Sequence, residues 1–242
     1  MPFPLAHPAA VLPLRRFCPR FLNFPALVIG SLTPDLGYAF GGLNVQYFSH
    51  RLLAGSFGFC LPVGLMLVLI FYLFRLSVVR LLPAHYQRAF LPFCRRPAGS
   101  PWATAISLVV GAWTHQWLDA LTHPEFWLVR YMPGLLAPIL QVGSHRILLC
   151  EALYAGCTFA GVAWLASAYL RWWEKATDAK IPRGIQMGCV LLLGGGILSI
   201  ALVCRGSDRV TALGAAGIVS VLLVIGFPLA ADWLSIQFRN PK

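Results

Sequence analysis

The sequence is short of charge, and above all of acid. Only 11% of its 242 residues are Asp, Glu, Lys or Arg, where soluble domains carry about 25%. Eight residues are acidic against nineteen basic. With 58% hydrophobic residues and a mean hydropathy of +0.72, the composition is that of an integral membrane protein. No glycine-rich phosphate loop, Gly-x-Ser-x-Gly elbow or dinucleotide fingerprint occurs, which argues against nucleotide-driven chemistry and serine hydrolysis. The seven cysteines are odd in number, form no Cys-x-x-Cys and lie mostly in apolar runs. They read as small buried hydrophobes, not as a disulfide framework. A standard secretory leader is also missing: Arg15 and Arg16 follow the first apolar stretch instead of preceding it, and prolines interrupt it, so the N-terminus is expected to be retained. The net charge of +11 does not point to nucleic acid, because the basic residues sit at the ends of apolar runs. They mark topology and contacts to anionic headgroups, and membrane lipids are the expected partners.

The apolar runs predict an all-α polytopic transmembrane helix bundle. Five spans are clear: Leu52 to Phe74, Trp102 to Thr122, Ile147 to Leu170, Met187 to Val203 and Val210 to Ala230. A sixth, or a re-entrant segment, falls near the N-terminus. Phe21 to Leu32 is short of the ~20 residues a span requires, and Pro34 biases Thr33 away from helix. It reads either as a half-helix buried in the bundle or as a span extended to Phe40. Residues Gly41 to Tyr47 read as a loop. One integral membrane domain covers 1–242, with a metal-site region at 1–150 and accessory helices at 151–242. The arginines between residues 75 and 101 and the basic residues between 171 and 186 place those connectors in the cytoplasm. The connector 123–146, with few charges, then faces the other side. If Phe21 to Phe40 crosses the membrane, His7 starts on the cytoplasmic face, away from that side. Trp102, Trp127, Trp172, Trp173 and Trp233 lie near span ends and read as interfacial anchors. Gly194-Gly-Gly196 permits close helix packing.

Chemistry concentrates in Gly111-Ala-Trp-Thr-His-Gln-Trp-Leu-Asp-Ala-Leu-Thr-His123. His115, Asp119 and His123 are spaced by four, and each such step turns only about 40° around a helix. The three side chains share one slowly drifting stripe. Two imidazoles and a carboxylate suit a borderline divalent metal such as zinc, and ionisable groups inside a span are costly and usually functional. Asp35 and His50 can reach the same face. His50 follows Ser49, a plausible N-cap of its span, and Ser49-His-Arg-Leu-Leu53 is echoed by Ser144-His-Arg-Ile-Leu148. That echo reads either as an internal repeat or as two generic interfacial caps. Thr114 and Thr122 are candidate hydrogen-bond partners for the ligands. His85, among arginines, reads as solvated, and Glu125 as an exposed loop carboxylate.

Together Pro4-Leu-Ala-His7, Thr33-Pro-Asp35, Phe48-Ser-His-Arg51 and Gly111-x-x-Thr-His115-x-x-x-Asp119-x-x-Thr-His123 resemble the DUF4184 family of bacterial membrane proteins. More distantly they resemble the DUF457, YdjM-like membrane-bound metal-dependent hydrolases, themselves similar to a phospholipase C and nuclease-like helical core. The resemblance implies metal ligation by Asp35, His50, His115 and Asp119, with His7 and His123 as further candidates. It also implies residence in the bacterial cytoplasmic (inner) membrane.

The function expected is a membrane-bound metal-dependent hydrolase acting through a metal-activated water on a phosphoester or lipid-linked substrate. Two rivals stand beside it. One is a transporter or proton-relay protein using the intramembrane His and Asp groups. The other is a non-catalytic scaffold in which they form a structural polar network.

Overall fold

The computed structural model describes residues 4–40, 44–142, 145–178 and 180–203. The span expected at Val210 to Ala230, with Trp233, lies outside the described residues. Helix dominates, in an order that begins with fragments. A 3-10 turn at Pro4–Ala6 leads into α1 (Pro8–Val11) and a further 3-10 segment, Leu12–Phe17; then come α2 (Phe24–Gly30), α3 (Thr33–Leu36) and α4 (Val45–Ser49). The long helices follow: α5 (Leu61–Leu81) after a π turn at Ser56–Cys60, α6 (Ala84–Cys94), α7 (Pro101–Thr122), α9 (Leu149–Thr177) and α10 (Arg183–Val203), with the short α8 (Trp127–Tyr131) between α7 and α9.

The N-terminal breaks have local causes. Asn23 caps α2, its side chain accepting from Ala26 N–H, and Pro25 sits at the first turn where its missing N–H costs nothing. The helix stops at Ser31, whose hydroxyl turns back onto the Val28 carbonyl at 2.8 Å. Pro34 then starts α3 as a separate piece. The segment is therefore a half-helix and not a span to Phe40.

α7 is the axis of the bundle. Its buried side runs from Thr104 and Ser107 through Gly111 to His115, Gln116 and Asp119. α2 lies against it at backbone distance: a side chain on Gly30 would strike the Leu108 carbonyl, and one on Gly111 would strike that of Leu27. Only glycine lets the two helices approach so closely. Asn23 fastens the lower end of α2. Its backbone N–H donates to Ser107 Oγ at 2.8 Å and its amide to Tyr72 Oη at 2.9 Å and the Ala98 carbonyl.

Two of the described helices are long and apolar enough to cross a membrane, Ser56–Leu81 and Leu149–Thr177. Only 17% and 22% of their most apolar windows is buried, so they turn Leu65, Leu69, Leu73, Phe74 and Trp164 outward. A soluble core helix would hide such residues; a lipid-facing one displays them. Of the five expected spans, Leu52 to Phe74 and Ile147 to Leu170 correspond to these two helices among the described residues. α7 has the expected length, but its buried Thr104, Ser107, His115, Gln116 and Asp119 lower its hydropathy, and the bundle provides for them instead of lipid.

Other expectations change as well. The loop predicted to Tyr47 gives way at Val45 to α4. Ser49 ends α4 instead of capping the next span, which begins at Ser56. Within the connector 123–146 lies part of an antiparallel hairpin, strands β1 (Pro138–Val142) and β2 (His145–Leu148), a local exception to an all-α fold. His145 opens a strand while His50 closes a helix, so the shared Ser-His-Arg motif is no structural repeat. Glu151 holds the start of α9 by accepting from Leu148 N–H at 3.0 Å. Trp173 is 1% exposed and packs on Tyr86, a core residue and not an interfacial anchor. Gly194 does admit close packing, against the Phe159 ring.

Candidate metal centre

Three elements deliver four residues to a single buried point. α3 brings Asp35, the end of α4 brings His50, and α7 brings His115 and Asp119 one turn apart. One ligand atom from each lies within 4.8 Å of the others, and all four residues are buried. His115 Nε2 stands 3.3 Å from Asp119 Oδ2 and 3.5 Å from Asp35 Oδ1. His50 Nε2 stands 3.4 Å from Asp119 Oδ2 and 3.9 Å from Asp35 Oδ1.

The hydrogen bonds behind the rings fix their chemistry. His115 Nδ1 meets the Ser31 carbonyl at 2.7 Å, and His50 Nδ1 meets the Gln46 carbonyl at 2.7 Å. A carbonyl can only accept, so each Nδ1 carries a proton and each Nε2 is turned inward. There the Nε2 atoms meet carboxylate oxygens, which only accept. His50 Nε2, His115 Nε2 and both oxygens of Asp35 and of Asp119 have no hydrogen-bond partner. Buried polar atoms are normally satisfied, and one left bare costs about 1–3 kcal/mol, more when charged. A positive charge among these six atoms, a proton or a metal ion, would satisfy them.

The spacing fits a metal ion. Nitrogen and oxygen donors bind zinc at about 2.0–2.1 Å, which puts neighbouring donors of a tetrahedron roughly 3.3–3.4 Å apart. The closest approaches here match that separation. The donor set, two imidazoles and two carboxylates, suits zinc and other borderline divalent ions. Backbone carbonyls holding the outer nitrogens of both rings are the usual orienting partners of metal-ligating histidines.

His7 joins this cluster from the opposite side. Its ring stacks on His115, centroids 3.7 Å apart, and its Nε2 lies 3.5 Å from Asp119 Oδ1. Neither ring nitrogen has a hydrogen-bond partner. Burial, reinforced by His115, holds the His7 imidazole well below its ordinary pKa and so neutral. Burial also pushes the Asp35 carboxyl up, to about 6, against the opposing pull of His115. His7 therefore lies at the same end of α7 as Asp119.

His123 does not join the four. Its Nδ1 contacts Thr122 Oγ1 at 3.1 Å, and its ring meets Phe126 and Tyr154. Phe126 also lies edge-on to His50. The stripe fails at this third step because α7 ends at Thr122 and His123 is already extended. Thr114 and Thr122 turn back onto Gly111 and Leu118 of their own helix, so the Ser31 and Gln46 carbonyls orient the rings instead. The side chains of His85 and His145 lie outside the described residues.

Two contributors were missed in the sequence. Gln116 donates to the Ser49 carbonyl at 2.9 Å and accepts from Ser56 Oγ at 3.2 Å, tying the His50 corner to α7. Ser49 Oγ reaches the Pro34 carbonyl at 2.9 Å, tying the His50 corner to the Asp35 turn. Gln116 directly follows His115, so its spacing was visible; nothing in the sequence marks Ser31 or Gln46, which act through their backbone carbonyls.

A helical protein with two membrane-length helices among its described residues and a buried His/Asp cluster that could hold a metal ion is the class these features define. The chain belongs to the family described as a domain of unknown function, DUF4184, whose model matches residues 1–230. No curated protein and no solved structure matches the chain.

Proposed function

We propose that the protein is an integral membrane metalloenzyme of the bacterial cytoplasmic membrane that hydrolyses a phosphoester or lipid-linked substrate. The observation that carries this is the convergence of four ligand atoms within 4.8 Å, all buried. Asp35, His50, His115 and Asp119 would hold a divalent ion, zinc by donor chemistry, and His7 would line its far side at Asp119 Oδ1. A bound ion of this kind supplies Lewis-acid activation of water and of a phosphoryl oxygen. The chain's own contribution is to fix both imidazoles through Ser31 and Gln46 and to keep bulk water from the ligands.

An open cleft reaches the site at His50. Tyr38, Gln46, Tyr47, Glu125, Phe126 and Trp127 line it with His50. Its largely aromatic wall suits a substrate with an apolar body, and Glu125 at its rim is placed to handle a proton.

The test is turnover of phosphomonoesters, phosphodiesters and phospholipids in micelles by detergent-purified protein supplied with zinc or manganese. Hydrolysis by wild type that disappears in Asp35→Ala and His50→Ala supports the reading. A wild-type protein that holds metal yet turns over none of these classes would reduce it to a metal-binding scaffold. Proton or cation flux through proteoliposomes, dependent on His115 and Asp119, would move it to a carrier.

A further inference from the structure

At the other end of α7, far from the cluster, a second cleft opens with the opposite chemistry. Ala103 lies one turn into the helix and Asp119 sixteen residues on, a rise of about 24 Å. The cleft is open to solvent, holds about 100 Å³, and is lined by Arg15, Arg75 and Arg96, with Tyr72, Asn23 and Phe24 among its walls. Among the described residues no carboxylate lines it. None is near in sequence either: Asp35 is the single acidic residue before Asp119, and both of these are buried in the His/Asp cluster.

Arg75 is held in place there. Its guanidinium carbon lies 4.2 Å from the centroid of the Tyr72 ring, and Nη1 donates to the Arg96 carbonyl at 2.8 Å. Its Nε is buried with no hydrogen-bond partner. An oriented guanidinium with an unmet donor, beside two further arginines and no acid, lacks an anion. Arginine's planar fork matches phosphate oxygens better than any other side chain does.

We propose that this cleft binds a phosphate group, with Arg75 as its fixed anchor and Arg15 and Arg96 closing over it from the exposed rim. The group is either the phosphomonoester headgroup of an anionic lipid or a free phosphate. The surrounding aromatic and proline residues would accept the glycerol backbone of a lipid. By the distribution of arginines in the connector 75–101, this is the end of the bundle that faces the cytoplasm, where anionic headgroups and soluble phosphates are both present. This inference stands apart from the proposed hydrolase activity.

The experiment is calorimetric titration of the detergent-purified full chain with inorganic phosphate and with dihexanoyl phosphatidic acid, using dihexanoyl phosphatidylcholine as the neutral control. Arg15→Gln and Arg96→Gln alter exposed residues and should leave thermal unfolding unchanged. Each is expected to weaken binding about tenfold or more, and Arg75→Gln at least as much. Phosphatidic acid binding much more tightly than phosphate assigns the cleft to lipid; equal affinities assign it to the free anion. Binding must survive Asp119→Ala, since a phosphate held at the His/Asp cluster would not. Loss in Asp119→Ala, equal binding by all three arginine variants, or no binding of either probe by wild type overturns the proposal.

Discussion

The two ends of α7 are electrostatic opposites. At its C-terminal end, side-chain nitrogens and oxygens of Asp35, His50, His115 and Asp119 converge without hydrogen-bond partners. At its N-terminal end, three arginines line a cleft with no acid among the described residues to meet them. The first could hold a cation, and the second is the cleft proposed to take an anion. The cost of leaving either bare is highest where burial is deepest, so the His/Asp cluster makes the stronger demand. The half-helix α2 spans both: Asn23 anchors it at the basic end, and the Ser31 carbonyl aims His115 at the other.

That contrast can be broken at one end at a time. The largest effect is expected from Asp119→Ala, which removes the carboxylate facing three histidines. It should abolish metal binding, read by elemental analysis, while leaving phosphate titration at the arginine cleft unchanged. Gly111→Ala comes next. Its new methyl collides with the Leu27 carbonyl, and such overpacking costs about 1–3 kcal/mol, measurable by thermal unfolding. By pushing Ser31 away from His115 it should also weaken metal affinity by roughly 10–100-fold, the usual penalty for losing an orienting partner.

Asn23→Ala tests the opposite end. It strips the cap from α2 and leaves the Tyr72 hydroxyl and the Ala98 carbonyl without their partner, for about 1–3 kcal/mol of stability. Metal stoichiometry should hold, because the cluster's own bonds are untouched. Ser100→Ala should have the smallest effect. Its hydroxyl caps α7 at a long 3.4 Å from Ala103 N–H on an exposed surface, so the loss should fall near the lower bound of about 0.5 kcal/mol for a cap. A larger loss would show that the N-terminal end of α7 is tied to the core more tightly than its exposure suggests.

How far the sequence revealed this depended on which atoms carry the function. The four side chains of the cluster were legible, because His115 and Asp119 repeat at helical spacing and Asp35 and His50 are ionisable groups beside apolar runs. His123 extended the same spacing and failed, since periodicity counts residues and cannot see that Pro124 ends the helix first. The carbonyls of Ser31 and Gln46 were invisible, for every residue has one and only the fold aims it. The helical class was plain from hydropathy, but the number of spans was not. A helix such as α7, polar on the side that packs inward and apolar elsewhere, has an intermediate hydropathy. Only the packing shows that protein, and not lipid, surrounds its polar stripe.

The central claim is that the His/Asp cluster holds a cation. Elemental analysis of the full chain, purified in detergent without chelator, tests it most directly, beside His115→Ala, Asp119→Ala and His123→Ala shown to be folded by thermal unfolding. The account predicts about one tightly held divalent ion per chain in wild type and in His123→Ala, and none in the other two. A well-folded wild type that carries no metal, even after supply of zinc and manganese, would contradict it.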